Sequence, residues 1–122
     1  MKYDDNNIFA KILRDEIPCN KIYEDDFVLS FYDINPQKKI HALVIPKGKY
    51  VDLDDFNTNA SNEEIIGLMK GITTVAKKLG ISSIDGKGYR ALANISDYGG
   101  QEVPHLHFHL FGGEKVGKMV SW

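Results

Sequence analysis

His105-Leu106-His107-Phe108-His109-Leu110-Phe111 puts three of the chain's four histidines at every second position of an otherwise apolar run. In an extended strand successive side chains alternate between faces, so the three imidazoles share one face and Leu106, Phe108 and Leu110 share the other. A helix would spread the same imidazoles over about 200° of arc at 100° per residue. Branched and aromatic neighbours also favour a strand. The heptapeptide therefore reads as a strand with one face for the core and one for chemistry.

The rest of the chain sets bounds. With 122 residues, 43% of them hydrophobic, it is long enough for one compact domain over residues 1–122 and has no run that would span a bilayer. The opening Met1-Lys2-Tyr3-Asp4-Asp5-Asn6-Asn7 is polar and acidic, unlike a secretion leader, so a cytoplasmic protein is expected. Cys19 is the single cysteine, which excludes an internal disulfide and suits a reducing compartment. A net charge of −2, a pI near 6.0 and scattered lysines argue against a nucleic acid polymer or a membrane as partner, while a single nucleotide stays open.

Local signals then divide the chain into elements. Asn6 or Asn7 is placed to cap a short helix with Ile8, Phe9, Ile12 and Leu13 at helical spacing, and Ile17-Pro18 is the expected stop. Lys21-Ile22-Tyr23-Glu24, Phe27 to Ile34 and His41 to Ile45 read as strands separated by Asp25-Asp26 and Asn35-Pro36, an antiparallel meander. Ser61-Asn62-Glu63-Glu64 is a capping box, opening a helix that presents Ile65, Leu68, Met69, Ile72, Val75, Ala76 and Leu79 on one face and stops at Gly80. A strand from Tyr89 to Asn94 follows the Gly86-Lys87-Gly88 turn, and the histidine strand comes last. The order is α-β-β-β-α-β-β with two helices, an α+β fold.

Three imidazoles on one strand face suit either a metal or phosphoryl chemistry. Zinc is one reading, with His41 from another strand as a fourth ligand, although Asp97 and Glu102 have no clear ligand spacing. Surface or core histidines without chemistry are the plain alternative. Just upstream, Asn94-Ile95-Ser96-Asp97-Tyr98-Gly99-Gly100-Gln101-Glu102-Val103 sets a glycine pair and small polar groups before the strand, where main-chain N–H groups can approach an anion. That combination favours a phosphate.

The pattern His-φ-His-φ-His-φ-φ, with φ apolar, matches His105 to Phe111 throughout, and here the chain resembles the histidine triad superfamily of nucleotide hydrolases and transferases. The likeness extends to Asn7 to Pro18, Phe31 to Gln37, His41 to Lys47, Gly99 to Val103 and Gly112-Gly113, which look like the branch of histidine triad nucleotide-binding proteins that cleave purine nucleoside phosphoramidates. The resemblance implies a five-stranded antiparallel sheet, a homodimer with a sheet continuous across both subunits, and no required metal or other cofactor. It makes His107 the nucleophile on phosphorus, gives the orienting carbonyl to His105, joins His41 and His105 in the ring network, and sets His109 against the phosphate oxygens or leaving group. It also implies nucleotide contacts from Ile8, Phe9, Phe31, Ile34 and Leu43 around the base, Asp33 at the ribose hydroxyls, Gly100 and Gln101 at the phosphate with Asn94 beneath, and Glu102 and Val103 beside them. Glu102 stands where some relatives have a serine, which points to a cationic leaving group. The tail 113–122 is expected to tune specificity through Val116 to Trp122. Hydrolysis of dinucleoside polyphosphates and a non-catalytic nucleotide-binding module are the alternatives.

Overall fold

The computed structural model describes residues 2–119. Five strands form one antiparallel sheet: β1 (Lys21–Glu24), β2 (Val28–Tyr32), β3 (Ile40–Pro46), β4 (Arg90–Leu92) and β5 (Phe108–Gly112). Their spatial order is β1-β2-β3-β5-β4, so β5 inserts between the meander and β4, and β4 is an edge. The helices are α1 (Ile8–Leu13), α2 (Leu53–Asn59) and α3 (Asn62–Lys78). The α+β class and the five-stranded antiparallel sheet thus agree with the sequence reading, with one helix more than it anticipated.

That extra helix has a physical reason to escape patterning. In α2, Leu-Asp-Asp-Phe-Asn-Thr-Asn, Phe56 is the one buried residue, so there is no stripe to recognise. Its start is nonetheless well made, because the Asp52 side chain caps it by accepting from the Asp55 N–H at 2.8 Å. The capping box of α3 forms as its sequence suggests, with Glu64 N–H to Ser61 Oγ at 3.1 Å and Ser61 N–H to Glu64 Oε1 at 3.1 Å. Gly80 ends α3 by donating to the Lys77 carbonyl while Ile81 donates to that of Ala76. Asn7 caps α1 by accepting from Ala10 N–H. This helix stops earlier than Pro18: Asp15 takes a left-handed φ of 61° and the same paired closure forms, Asp15 N–H to Ile12 O and Glu16 N–H to Lys11 O.

The sheet separates two apolar clusters. On one face Ile22, Val28, Ala42, Val44 and Leu110 meet Leu68, Ile72 and Val75 of α3. On the other, Leu29, Phe31, Leu43 and Ile45 meet Phe9 and Ile12 of α1. β3 lies between both clusters and is buried along nearly its whole length. Each fully buried Val, Leu or Ile side chain there is worth about 1.5–3 kcal/mol. One core position works against this: Ser30, fully buried on β2, has an Oγ with no hydrogen-bond partner among the described residues. Leaving a buried hydroxyl unpaired costs about 1–3 kcal/mol, so Ser30→Ala is expected to raise stability by about 1 kcal/mol. A higher urea midpoint at unchanged m-value would show it.

Candidate active site

In the β3–β5 ladder His41 is opposite Phe111 and Leu43 opposite His109, and residues directly opposite in an antiparallel pair point to the same face. His41, His109 and Phe111 therefore share the α1 face. β5 begins only at Phe108, so His105 and His107 precede the ladder rather than lie in it, a correction to the continuous histidine strand expected from alternation. The alternation itself persists, because Leu106 and Leu110 both enter the α3-side core. Side chains and turns hold this approach segment in place of a ladder. Leu106 N–H donates to the Tyr50 carbonyl at 2.9 Å, and His105 N–H donates to that of Val103 at 2.9 Å in a three-residue turn centred on Pro104.

Main-chain partners assign the protons of three imidazoles, and one of these rings assigns the fourth. A carbonyl can only accept, so His107 carries its proton on Nδ1, 2.7 Å from the His105 carbonyl, and its Nε2 keeps a free lone pair. By the same rule His105 carries its proton on Nε2, 2.9 Å from the Pro46 carbonyl, and its Nδ1 accepts from the Tyr3 hydroxyl at 2.6 Å. Gln37 N–H can only donate, and it meets His41 Nδ1 at 3.1 Å, which puts the His41 proton on Nε2. That proton is directed to His109 Nδ1 at 2.9 Å, leaving His109 as an Nε2–H donor. Phe111 packs against both members of this pair, 4.3 Å from His41 and parallel to His109 at 5.7 Å between ring centres. Phe9 of α1 meets the His107 ring edge-to-face at 4.9 Å.

Burial keeps the four rings neutral. It lowers His105 to about 4 against the favourable contact with the Pro46 carbonyl. It also lowers His109 to about 4, helped by the neighbouring His107 and His41 rings and opposed by Asp33. His107 and His41 are lowered as well, chiefly by burial, with Asp33 opposing in both and the His105 carbonyl and Glu102 opposing in His107.

The histidines His41, His107 and His109 line a cleft of about 430 Å³. The glycine turn forms one wall, with Gly100 at φ 75°, and Gly99 so close to Ile95 that a Cβ would sit 2.4 Å from its carbonyl oxygen. Asp33 and Glu102 are the charged side chains of the lining, which contains no lysine or arginine among the described residues. A larger hollow of about 950 Å³ beside β4 contains none of the histidines.

Asp33, His41 and His109 bring ligand atoms within 4.8 Å of one another, near enough for a metal ion. The His41 Nε2 separations, 2.9 Å to His109 and 3.5 Å to Asp33, bracket the roughly 3.3 Å edge of a tetrahedral zinc site. The proton pattern opposes such an ion. Binding through Nε2 would move the His41 proton to Nδ1, directly against Gln37 N–H, whereas a ligating histidine needs an acceptor there. These surroundings suit a proton on Nε2 better than a metal.

Comparison with known proteins agrees with this geometry. The HIT domain family matches residues 14–116. The chain belongs to the HIT domain family. It is 50% identical over 119 residues to an uncharacterized 13.2 kDa HIT-like protein of Azospirillum brasilense, covering 98% of this chain and 95% of that one. It is 41% identical over 117 residues to the purine nucleoside phosphoramidase of Escherichia coli K12, covering 96% and 95%. Among solved structures, a HIT family hydrolase from Clostridium thermocellum superposes with a TM-score of 0.85 at 37% identity, covering 96% of this chain and 99% of that one. This HIT protein is a hydrolase.

The HIT cleft gathers most of the residues singled out from sequence. Phe9, Leu43 and Val103 form apolar wall, and Asp33, Asn94, Gly100 and Glu102 lie along it with His41, His107 and His109. Five positions fall outside its lining. Phe31 is buried behind Phe9, Ile8 is half-exposed on the outer side of α1, Ile34 is 86% exposed, and the His105 ring is wholly enclosed and acts on the cleft through its carbonyl. The His105 ring meets Tyr3 and Pro46, while His41 pairs with His109, so the two do not join in one ring network. Gln101 lies beside the cleft with its amide fully engaged: Nε2 donates to Val51 and Val103 carbonyls and Oε1 accepts from Ser96 N–H. Asn94 likewise donates to the Gly99 carbonyl at 2.7 Å, bracing the turn. Asn35, Gln37, Leu92 and Phe111 complete the lining without having been assigned to the site from sequence, and the Phe111 signal was present as the next step of the same alternation. In the tail, Arg90 donates to the Gly117 and Lys118 carbonyls; residues 120–122 lie outside the described part.

Histidines lowered in the fold relative to about 6.5 when unfolded stabilise the protein fully above pH 6.5 and progressively less as pH falls towards 4. His105 alone should account for a loss of about 1 kcal/mol between pH 7.5 and 5.5, measurable as a lower urea midpoint at the acid end.

Proposed function

We propose that this HIT hydrolase cleaves the P–N bond of purine nucleoside 5'-phosphoramidates through a covalent nucleotidyl-His107 intermediate. The observation carrying this reading is the His107 Nδ1–H bond to the His105 carbonyl, which leaves the Nε2 lone pair for attack beside the His109 Nε2–H donor. In the first step Nε2 bonds to phosphorus and the amine leaves, taking a proton from water. Water then displaces the imidazole and gives up a proton that neutralises the hydroxide left by the first step, releasing the nucleoside monophosphate. His109 donates to a phosphoryl oxygen as charge grows there. Asp33 faces the ribose hydroxyls, and Phe9, Leu43 and Val103 pack against the base. The 41% identity to a purine nucleoside phosphoramidase supports this substrate class. No metal or other cofactor enters these steps, and the proton on His41 Nε2 supports that reading. The open sheet edge at β4 supports a homodimer.

Charge favours an amine over a polyphosphate as leaving group. Asp33 and Glu102 are the fixed charges of the lining, which has no lysine or arginine among the described residues, and would repel the extra phosphates of a dinucleoside polyphosphate.

Adenosine 5'-phosphoramidate with an amine leaving group should turn over in excess chelator, and His107→Ala should lose at least about a thousandfold in kcat. Retained activity in that variant would remove His107 from the nucleophile role. Because only the neutral ring attacks, kcat/KM should stay level on acidification through about pH 6.5 and fall only at lower pH; an acid limb at or above about 6.5 would contradict the lowering of His107. With matched cationic and uncharged leaving amines, Glu102→Gln should reduce the preference for the cationic one by about threefold, and an unchanged ratio would place the leaving group away from Glu102.

A further inference from the structure

Tyr3 lies outside the cleft and 102 positions from its hydrogen-bond partner His105. We propose that Tyr3 is a positioning residue for the reacting imidazole, its hydroxyl closing a buried line that runs through the His105 ring and carbonyl to His107 Nδ1. The proposal rests on the reading of His107 as the nucleophile.

The His105 ring is 0% exposed and must satisfy two nitrogens without water. The Pro46 carbonyl takes the Nε2 proton, so Nδ1 is a buried acceptor, and the Tyr3 hydroxyl is its donor. Tyr3 also meets the ring edge-to-face at 5.6 Å and 70°, and Phe9 closes another side at 6.3 Å and 85°. Held at both nitrogens and enclosed by two aromatic rings, His105 has one orientation available. Its main chain is fixed in turn by its N–H bond to the Val103 carbonyl, so its own carbonyl is aimed at His107. Tyr3 is itself anchored: Asn7, the cap of α1, donates both N–H and Nδ2–H to the Asp4 carbonyl at 3.1 and 2.7 Å. The first turn of the chain and the reacting ring are thus mechanically linked.

Without that hydroxyl the His105 ring loses one of its two anchors, leaving the Val103 and Pro46 bonds alone to hold its carbonyl on His107, and the preference of the His107 proton for Nδ1 weakens. A proton on Nε2 blocks attack. Tyr3→Phe is expected to lower kcat about tenfold while KM stays within about twofold, because the residue does not touch the cleft. In nitrogen-15 spectra of the imidazoles, wild-type His107 should be the Nδ1–H form and the variant should show a share of the Nε2–H form, a change that a merely structural residue would not cause. Wild-type kcat with an unchanged His107 tautomer in Tyr3→Phe would overturn the proposal. Should that variant fail to fold, the wild type still decides: a slowly exchanging Tyr3 hydroxyl proton with a cross-peak to the His105 ring supports the line, and its absence refutes it. If wild-type protein fails to cleave phosphoramidates, the nucleophile reading falls separately, and the tautomer measurement continues to test the link from Tyr3 to His107.

Discussion

A neutral imidazole has one proton for two nitrogens, and in this protein a main-chain group decides where it goes in three of the four rings. The Pro46 carbonyl settles His105, the His105 carbonyl settles His107, and the Gln37 N–H settles His41, which then settles His109. A carbonyl cannot donate and an amide N–H cannot accept, so these assignments are independent of side-chain titration. Burial removes the charged forms that would otherwise scramble them. The result is one ring with a lone pair at Nε2 next to another with a proton at Nε2.

The fold supplies those main-chain groups through its sheet. β3 contributes the Pro46 carbonyl at its end and His41 near its start, and the register with β5 sets His109 and Phe111 on the same face. Because β3 is packed by α1 on one side and α3 on the other, neither its ends nor its pleat can shift without opening a core. Gln101 fastens the approach to β5 onto the Val51 carbonyl, with Leu106 fastened to that of Tyr50. Gln101, expected at the phosphate, spends its side-chain amide on bracing the glycine turn.

Electrostatics and shape then narrow the chemistry. The cleft lining combines neutral histidines with two acidic side chains and, among the described residues, contains no cation from lysine or arginine. Under the proposed mechanism such a site would stabilise developing charge with oriented N–H donors rather than with permanent positive charge, which would keep the phosphoryl group from being held too tightly in its ground state.

Periodicity and local capping belong to the sequence alone: the alternation from His105 to Phe111 determined which residues face the core, Ser61 and Glu64 determined where α3 begins, and the apolar spacing of α1 determined its buried side. These are short-range consequences of backbone geometry, so each is visible within a few residues. Only the tertiary structure decided that β5 starts at Phe108, that Leu53–Asn59 is helical around one buried phenylalanine, and that Ile34 lies exposed while Phe31 backs Phe9. It alone paired His41 with His109 and Tyr3 with His105. Those contacts join residues 68 and 102 positions apart, and two of the decisive protons are set by carbonyl oxygens that every residue possesses. A main-chain group has no signature in the sequence; its role exists only once the fold has aimed it.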